Sequence, residues 1–237
     1  MTRWLALLAA VWAAPAGAEA IASARYEAAT ARYGHGALAG GEWAELVLVL
    51  AGGDERRFAL PENMVFEDTA PRLVDLTGDG VAEAVVVESS VDLGARLAIW
   101  GPEGRIAAGP FIGTAHRWLA PLGALDVDGD GGLEFAYVVR PHLDAVLTVA
   151  RFGARGLDVL AEAPGLPSHR YRSGVLEGGI AACETGPVML TADSGWAQVM
   201  AVRWVAGRLV SETVQSYAGP ESFAEAAAAM GCELTKP

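Results

Sequence analysis

Basic residues are scarce in this chain of 237 residues: 17 Lys and Arg stand against 29 Asp and Glu, a formal net charge of −12. Nucleic acids are held at their phosphates by clustered Lys and Arg, so DNA and RNA are excluded as partners. Beyond the first residues no apolar run approaches the roughly 20 residues that cross a bilayer. No integral membrane segment is therefore expected after the leader. Cysteine is nearly absent, with only Cys183 and Cys232. The four histidines, His35, His116, His142 and His169, are scattered, and none has the spacing of a zinc site. Each reads as a surface or turn residue. No P-loop, dinucleotide fingerprint or serine-nucleophile elbow occurs, so no catalytic residue is assigned. Stray acids such as Glu88, Asp92 and Asp144 read as solvated turn residues. With 52% hydrophobic and 19% charged residues, the chain can build a substantial core, which excludes disorder.

The first residues have the layout of a secretory signal: Arg3, an apolar run from Trp4 to Ala14, then Ala16-Gly17-Ala18. A signal peptide over residues 1–18 is expected, with cleavage after Ala18 or Ala20. No Cys stands at that point, so no lipid anchor is expected there. The remainder, 19–237, is compatible with one all-β domain that is periplasmic or secreted.

Two acidic loops organise that domain. Asp75-Leu76-Thr77-Gly78-Asp79-Gly80-Val81-Ala82-Glu83 and Asp126-Val127-Asp128-Gly129-Asp130-Gly131-Gly132-Leu133-Glu134 place oxygen-bearing side chains at positions one, three, five and nine. A hard cation such as Ca²⁺ takes about 6–8 oxygens at roughly 2.3–2.6 Å, and a tight turn can supply several of them. Glycines at positions four and six let the backbone wrap the ion. An EF-hand would need a Glu at position twelve between helices. Val86 and Tyr137 stand there instead, within β-branched and aromatic runs that favour strands. Each loop thus leads into a strand. A turn of this composition without metal is the competing reading. The second loop has four carboxylates where the first has three and Thr77, so the second is expected to hold Ca²⁺ more tightly.

This pattern, D-x-(D/T)-G-D-G-x-x-E entering a hydrophobic strand, resembles the calcium loop of FG-GAP/VCBS repeats, as in the β-propeller of integrin α chains. The resemblance implies that the backbone carbonyls of Val81 and Gly132 join the ligand set of Asp75, Thr77, Asp79, Glu83, Asp126, Asp128, Asp130 and Glu134. Asp75 and Asp126 lie 51 positions apart, and Ala70-Pro71 and Ala120-Pro121 precede the loops. After each loop strand come further short strands separated by glycine turns, and His116-Arg117-Trp118 and His169-Arg170-Tyr171 mark similar points. A period near 50 residues with several strands per unit suggests propeller blades. Weaker copies flank the pair. In the later one Cys183-Glu184-Thr185-Gly186 stands where the acidic run would be.

The expected architecture is all-β: a β-propeller-like assembly of about four units, near 26–66, 70–119, 120–168 and 170–218, or else a small open β-assembly. A strand near Tyr26 to Tyr33 could join the last unit and close a ring. Ser222-Phe223-Ala224-Glu225 reads as a capping box opening a short helix over 222–230, with Gly231 as its stop. In an oxidising compartment Cys183 and Cys232 are expected to pair and pin that helix to the last unit, with two buried thiols as the alternative. Of the seven Trp, Trp100, Trp118, Trp196 and Trp204 read as packing residues, and Trp43 as the one to be exposed. The functional expectation is an exported calcium-binding scaffold or binding module for a protein or glycan partner. The alternative is a periplasmic hydrolase or a carbohydrate-binding, lectin-like protein on the same fold.

Overall fold

The computed structural model describes residues 20–153 and 156–237. The leader expected over residues 1–18 lies outside the described residues. The chain enters through β1 (Ile21–Ala29), antiparallel to β2 (Glu42–Leu50), whose other edge carries β3 (Glu55–Ala59). Leu46, Leu48 and Leu50 of β2 pack on Tyr26, Phe66, Val86 and Trp100, which anchors this corner.

Three meanders follow. β5 (Arg72–Val74), β6 (Glu83–Ser90), β7 (Gly94–Gly101) and β8 (Gly104–Ala108) pair in order. So do β9 (Leu119–Leu125), β10 (Glu134–Val139), β11 (Val146–Gly153) and β12 (Gly156–Ala163). The last is β13 (Gly179–Ala182), β14 (Val188–Ala192), β15 (Gln198–Val205) and β16 (Arg208–Ser216). All are antiparallel. The first unit does not stand alone. β4 (Met64–Glu67) pairs with β2 on one side and β6 on the other, fusing the first two units into one eight-stranded sheet. Val65, Phe66 and Glu67 are fully buried there.

The sheets stack face to face with the four-stranded one in the middle, and none closes into a barrel. The period of two explains the stacking. Along β6, Val85 and Val87 face the middle sheet while Ala84 and Val86 face the first hairpin. All of β10 from Phe135 to Val138 is buried, because both faces of that sheet are covered. Met189 of β14 joins the shared core, and its neighbours Val188 and Leu190 turn to the far side of the third sheet.

That far side is covered by α1 (Ser222–Ala229), through Phe223, Ala226 and Ala227. The helix lies where the Ala-rich run predicts and ends at Gly231, whose φ of 71° suits glycine. The capping box does not form. Glu221 is the N-cap, without a side-chain bond, and the Ser222 hydroxyl instead accepts the Ala218 N–H at 2.9 Å. The strand near Tyr26 does not close a ring either. β1 belongs to the first hairpin, where Ile21 and Tyr26 are buried. The last unit is instead extended by β17 (Glu233–Thr235) on the free edge of β13, beside the Cys183–Cys232 disulfide. The bridge forms as expected and fastens the segment after α1 to the β13–β14 connection. Trp43 is only half-exposed, with its indole N–H buried.

Candidate metal centres

Both acidic runs are connections between the first and second strands of a meander, β5–β6 and β9–β10. Their construction is the same. The carboxylate at position one receives backbone N–H groups from the glycines at positions four and six. Asp75 accepts from Gly78 at 2.8 Å and Gly80 at 2.9 Å, and Asp126 accepts from Gly129 at 2.7 Å and Gly131 at 3.0 Å. Those glycines hold φ between 75° and 89°, the left-handed region that side-chain-bearing residues avoid. The carboxylate at position five accepts the N–H at position seven: Asp79 from Val81 and Asp130 from Gly132, both at 2.8 Å. The position-nine Glu is the first residue of the following strand and is buried in both loops.

Around this shared frame the loops differ. In the first, Glu83 turns back on the loop and accepts from the Leu76 N–H at 2.9 Å and the Thr77 hydroxyl at 2.8 Å. Ligand-type oxygens of Asp75, Asp79 and Glu83 lie within 4.8 Å of one another. In the second, the oxygens that gather within that distance belong to Asp126, Asp128 and Asp130. Glu134 accepts the Val127 N–H at 3.0 Å and the Arg151 guanidinium. Arg151 also reaches Asp128 and Asp130, each at 3.0 Å. One guanidinium therefore ties together three of the four carboxylates expected as ligands.

The Glu134 carboxylate is the largest influence holding the Arg151 guanidinium above its ordinary value. The Gly132 N–H, ahead of Arg151 itself, holds Asp130 below the usual carboxylate range. Arg151 lies directly across the β10–β11 ladder from Glu134. In the second unit Ala84 pairs with Trp100, so the corresponding position is Gly101, which has no charge to offer.

The donor set suits a hard divalent ion. Oxygens on opposite sides of Ca²⁺ stand roughly 5 Å apart, a span that the Asp75, Asp79 and Glu83 oxygens of the first loop already have. A carboxylate with two N–H partners still has lone pairs to offer. Val81 and Gly132 sit at the rim of their loops, with N–H groups turned to Asp79 and Asp130.

Several residues outside the loops differ from expectation. Glu88 is no solvated turn acid: it is fully buried on β6, bound by Arg96, Arg105 and the Trp100 indole N–H. Asp144 is exposed but paired with Arg140. The four histidines are not scattered in space. They come from four different connections and meet around Trp118. The His35 and His116 rings stack at 5.3 Å, and His142 Nε2 lies 2.7 Å from His169 Nδ1. Only the repeated His-Arg-aromatic triplet hinted at this. Compared with known protein families and with curated proteins, the chain matches none.

Proposed function

We propose that the protein is an exported β-repeat module whose two acidic loops bind Ca²⁺ as a structural ion, and whose sheets present a surface to a protein or glycan partner. On this reading the three stacked sheets are propeller-like blades of the FG-GAP/VCBS kind, and the enzyme reading stays second. The observation that carries it is the recurrence of one loop construction at the same place in consecutive meanders, with a buried Glu opening the next strand each time. Without an ion, three or four carboxylates crowd each turn and repel one another. With it, the repulsion becomes ligation, and binding free energy adds to folding free energy.

The two loops do not differ by carboxylate count alone. In the second, the Arg151 guanidinium cancels the charge of the additional acid, so an entering ion displaces a resident cation. We therefore expect the two affinities to lie close together. Calorimetric titration of the metal-free protein with Ca²⁺ tests the reading: two binding events, one lost in Asp75→Asn and the other in Asp126→Asn, support it. No heat and no change in melting temperature in millimolar Ca²⁺ would refute it.

A further inference from the structure

The second acidic loop lies at one end of β9 and β10, and the histidines lie at the other. β10 runs from Glu134 in the second loop to Val139, and Arg140 and His142 follow directly. At about 3.3 Å per residue the two ends stand roughly 20 Å apart. At the histidine end the charge of this acidic chain reverses. A cleft of about 160 Å³ is bordered by His35, His116, Arg117, Arg140, His142 and Tyr171, with no Asp or Glu in its lining. It meets a second cleft of about 280 Å³ at His142 and Tyr171, where Arg170, Trp196 and Pro167 line the wall, again without an acid. The acids nearby are already engaged. Glu67 is buried beneath His35 and hydrogen-bonded to its Nδ1 at 2.6 Å, Asp144 holds Arg140, and Glu42 accepts backbone N–H groups of the 34–36 turn.

We propose that these adjoining clefts bind a small ring-bearing phosphate or sulfate ester, its oxyanion between His116, Arg117 and Arg140 and its ring against Tyr171. Arg117 gives one N–H to the His116 carbonyl, and Arg140 gives two to Asp144. Their other N–H groups, and the Tyr171 hydroxyl, have no hydrogen-bond partner among the described residues. Guanidinium donors suit a tetrahedral oxyanion, to which they form charge-assisted bonds. His35 adds to this, since its Nδ1 is engaged by Glu67 and its Nε2 is unpartnered among the described residues. Tyr171 is more than half exposed, a flat ring beside the charge with Arg172 over its other side. A metal ion fits less well. Guanidinium groups border the cleft, and among the described residues only the acidic loops bring three or more metal-type side chains within 4.8 Å. Clefts walled by one sign of charge concentrate the opposite ion.

The site lies away from the calcium loops and stands or falls without them. The full, disulfide-bonded chain, loaded with Ca²⁺, is titrated with phenyl phosphate and with inorganic sulfate, reading tryptophan emission and histidine ring resonances. Saturable shifts at His35, His116 and His142 are expected with both probes, and sulfate should displace phenyl phosphate. Arg117→Gln and Arg140→Gln should each weaken binding about tenfold, while Arg203→Gln on β15 leaves it unchanged. Tyr171→Ala should weaken phenyl phosphate but not sulfate. Equal shifts with chloride at matched ionic strength would overturn the proposal, as would arginine variants that bind like the parent or a phenyl ester that binds no better than sulfate alone.

Discussion

Replacing Arg151 with Gln should do two opposite things. In the metal-free protein it removes the partner of Glu134, which is fully buried, while Arg151 itself is one-third exposed. Stripping one member from a fully buried pair costs about 3–5 kcal/mol. With one partner in contact with water and the Val127 N–H retained, a loss of about 2 kcal/mol is the reasonable scale. In the calcium-bound protein the same change removes a repulsion. Two unit charges at about 4 Å interact by about 1 kcal/mol in a water-like medium, so a divalent ion beside the guanidinium suffers roughly 2 kcal/mol. Lifting it should tighten the second loop about 30-fold. An Asp75→Asn background silences the first loop, so calorimetry reads the second alone, and thermal melts with chelator and with Ca²⁺ read the stability. The expected pattern is a lower melting temperature in chelator and full recovery in saturating Ca²⁺. Unchanged or weaker calcium binding in Arg151→Gln would refute the idea that the guanidinium stands where an ion belongs.

Other perturbations give separable outcomes. Chelation of the parent protein should lower its melting temperature, and Asp75→Asn with Asp126→Asn together should abolish that response in a melt. Cys232→Ser opens a loop closed over 49 residues and should cost about 4 kcal/mol by chain entropy, read by denaturant unfolding; intact mass of the native protein should show no alkylatable thiol. Burial holds His142 down to about 4, and His169 is lowered as well, so both are neutral when folded. The unfolded chain takes up these protons first, so stability is full above the ordinary imidazole value near 6.5 and is lost as pH drops towards 4. Asp130 and Asp144, held low, titrate below that window. Melts of His142→Gln should show a flatter dependence, and an identical slope would count against the assignment.

The strands beside the loops and the tail helix are legible locally, although the capping box does not form, and what depends on register is not legible. The loops, their strands, the tail helix and its glycine stop all follow from residues within a dozen positions of one another. The disulfide follows from there being two cysteines. Arg151 lies 17 residues from Glu134, and nothing in either neighbourhood says that the β10–β11 ladder sets them face to face. The histidine face is harder still, because its members arrive on four connections from all three sheets. Glu88 looked like a turn acid because its counter-charges, Arg96 and Arg105, come from neighbouring strands β7 and β8. The repeat itself misled at the start of the chain. It marks off a first unit, whereas four residues of β4, too short to stand out beside their neighbours, join that unit to the next.

Those four residues also decide how the molecule should come apart. Because β4 is shared, the first hairpin cannot detach without uncovering the edge of β6, so two sequence repeats should behave as one cooperative block. Amide hydrogen exchange would register this as equal protection along β2 and β6, while β16, an edge strand with mostly exposed residues, exchanges by local fraying. A break in the backbone between residues 50 and 55 should be tolerated.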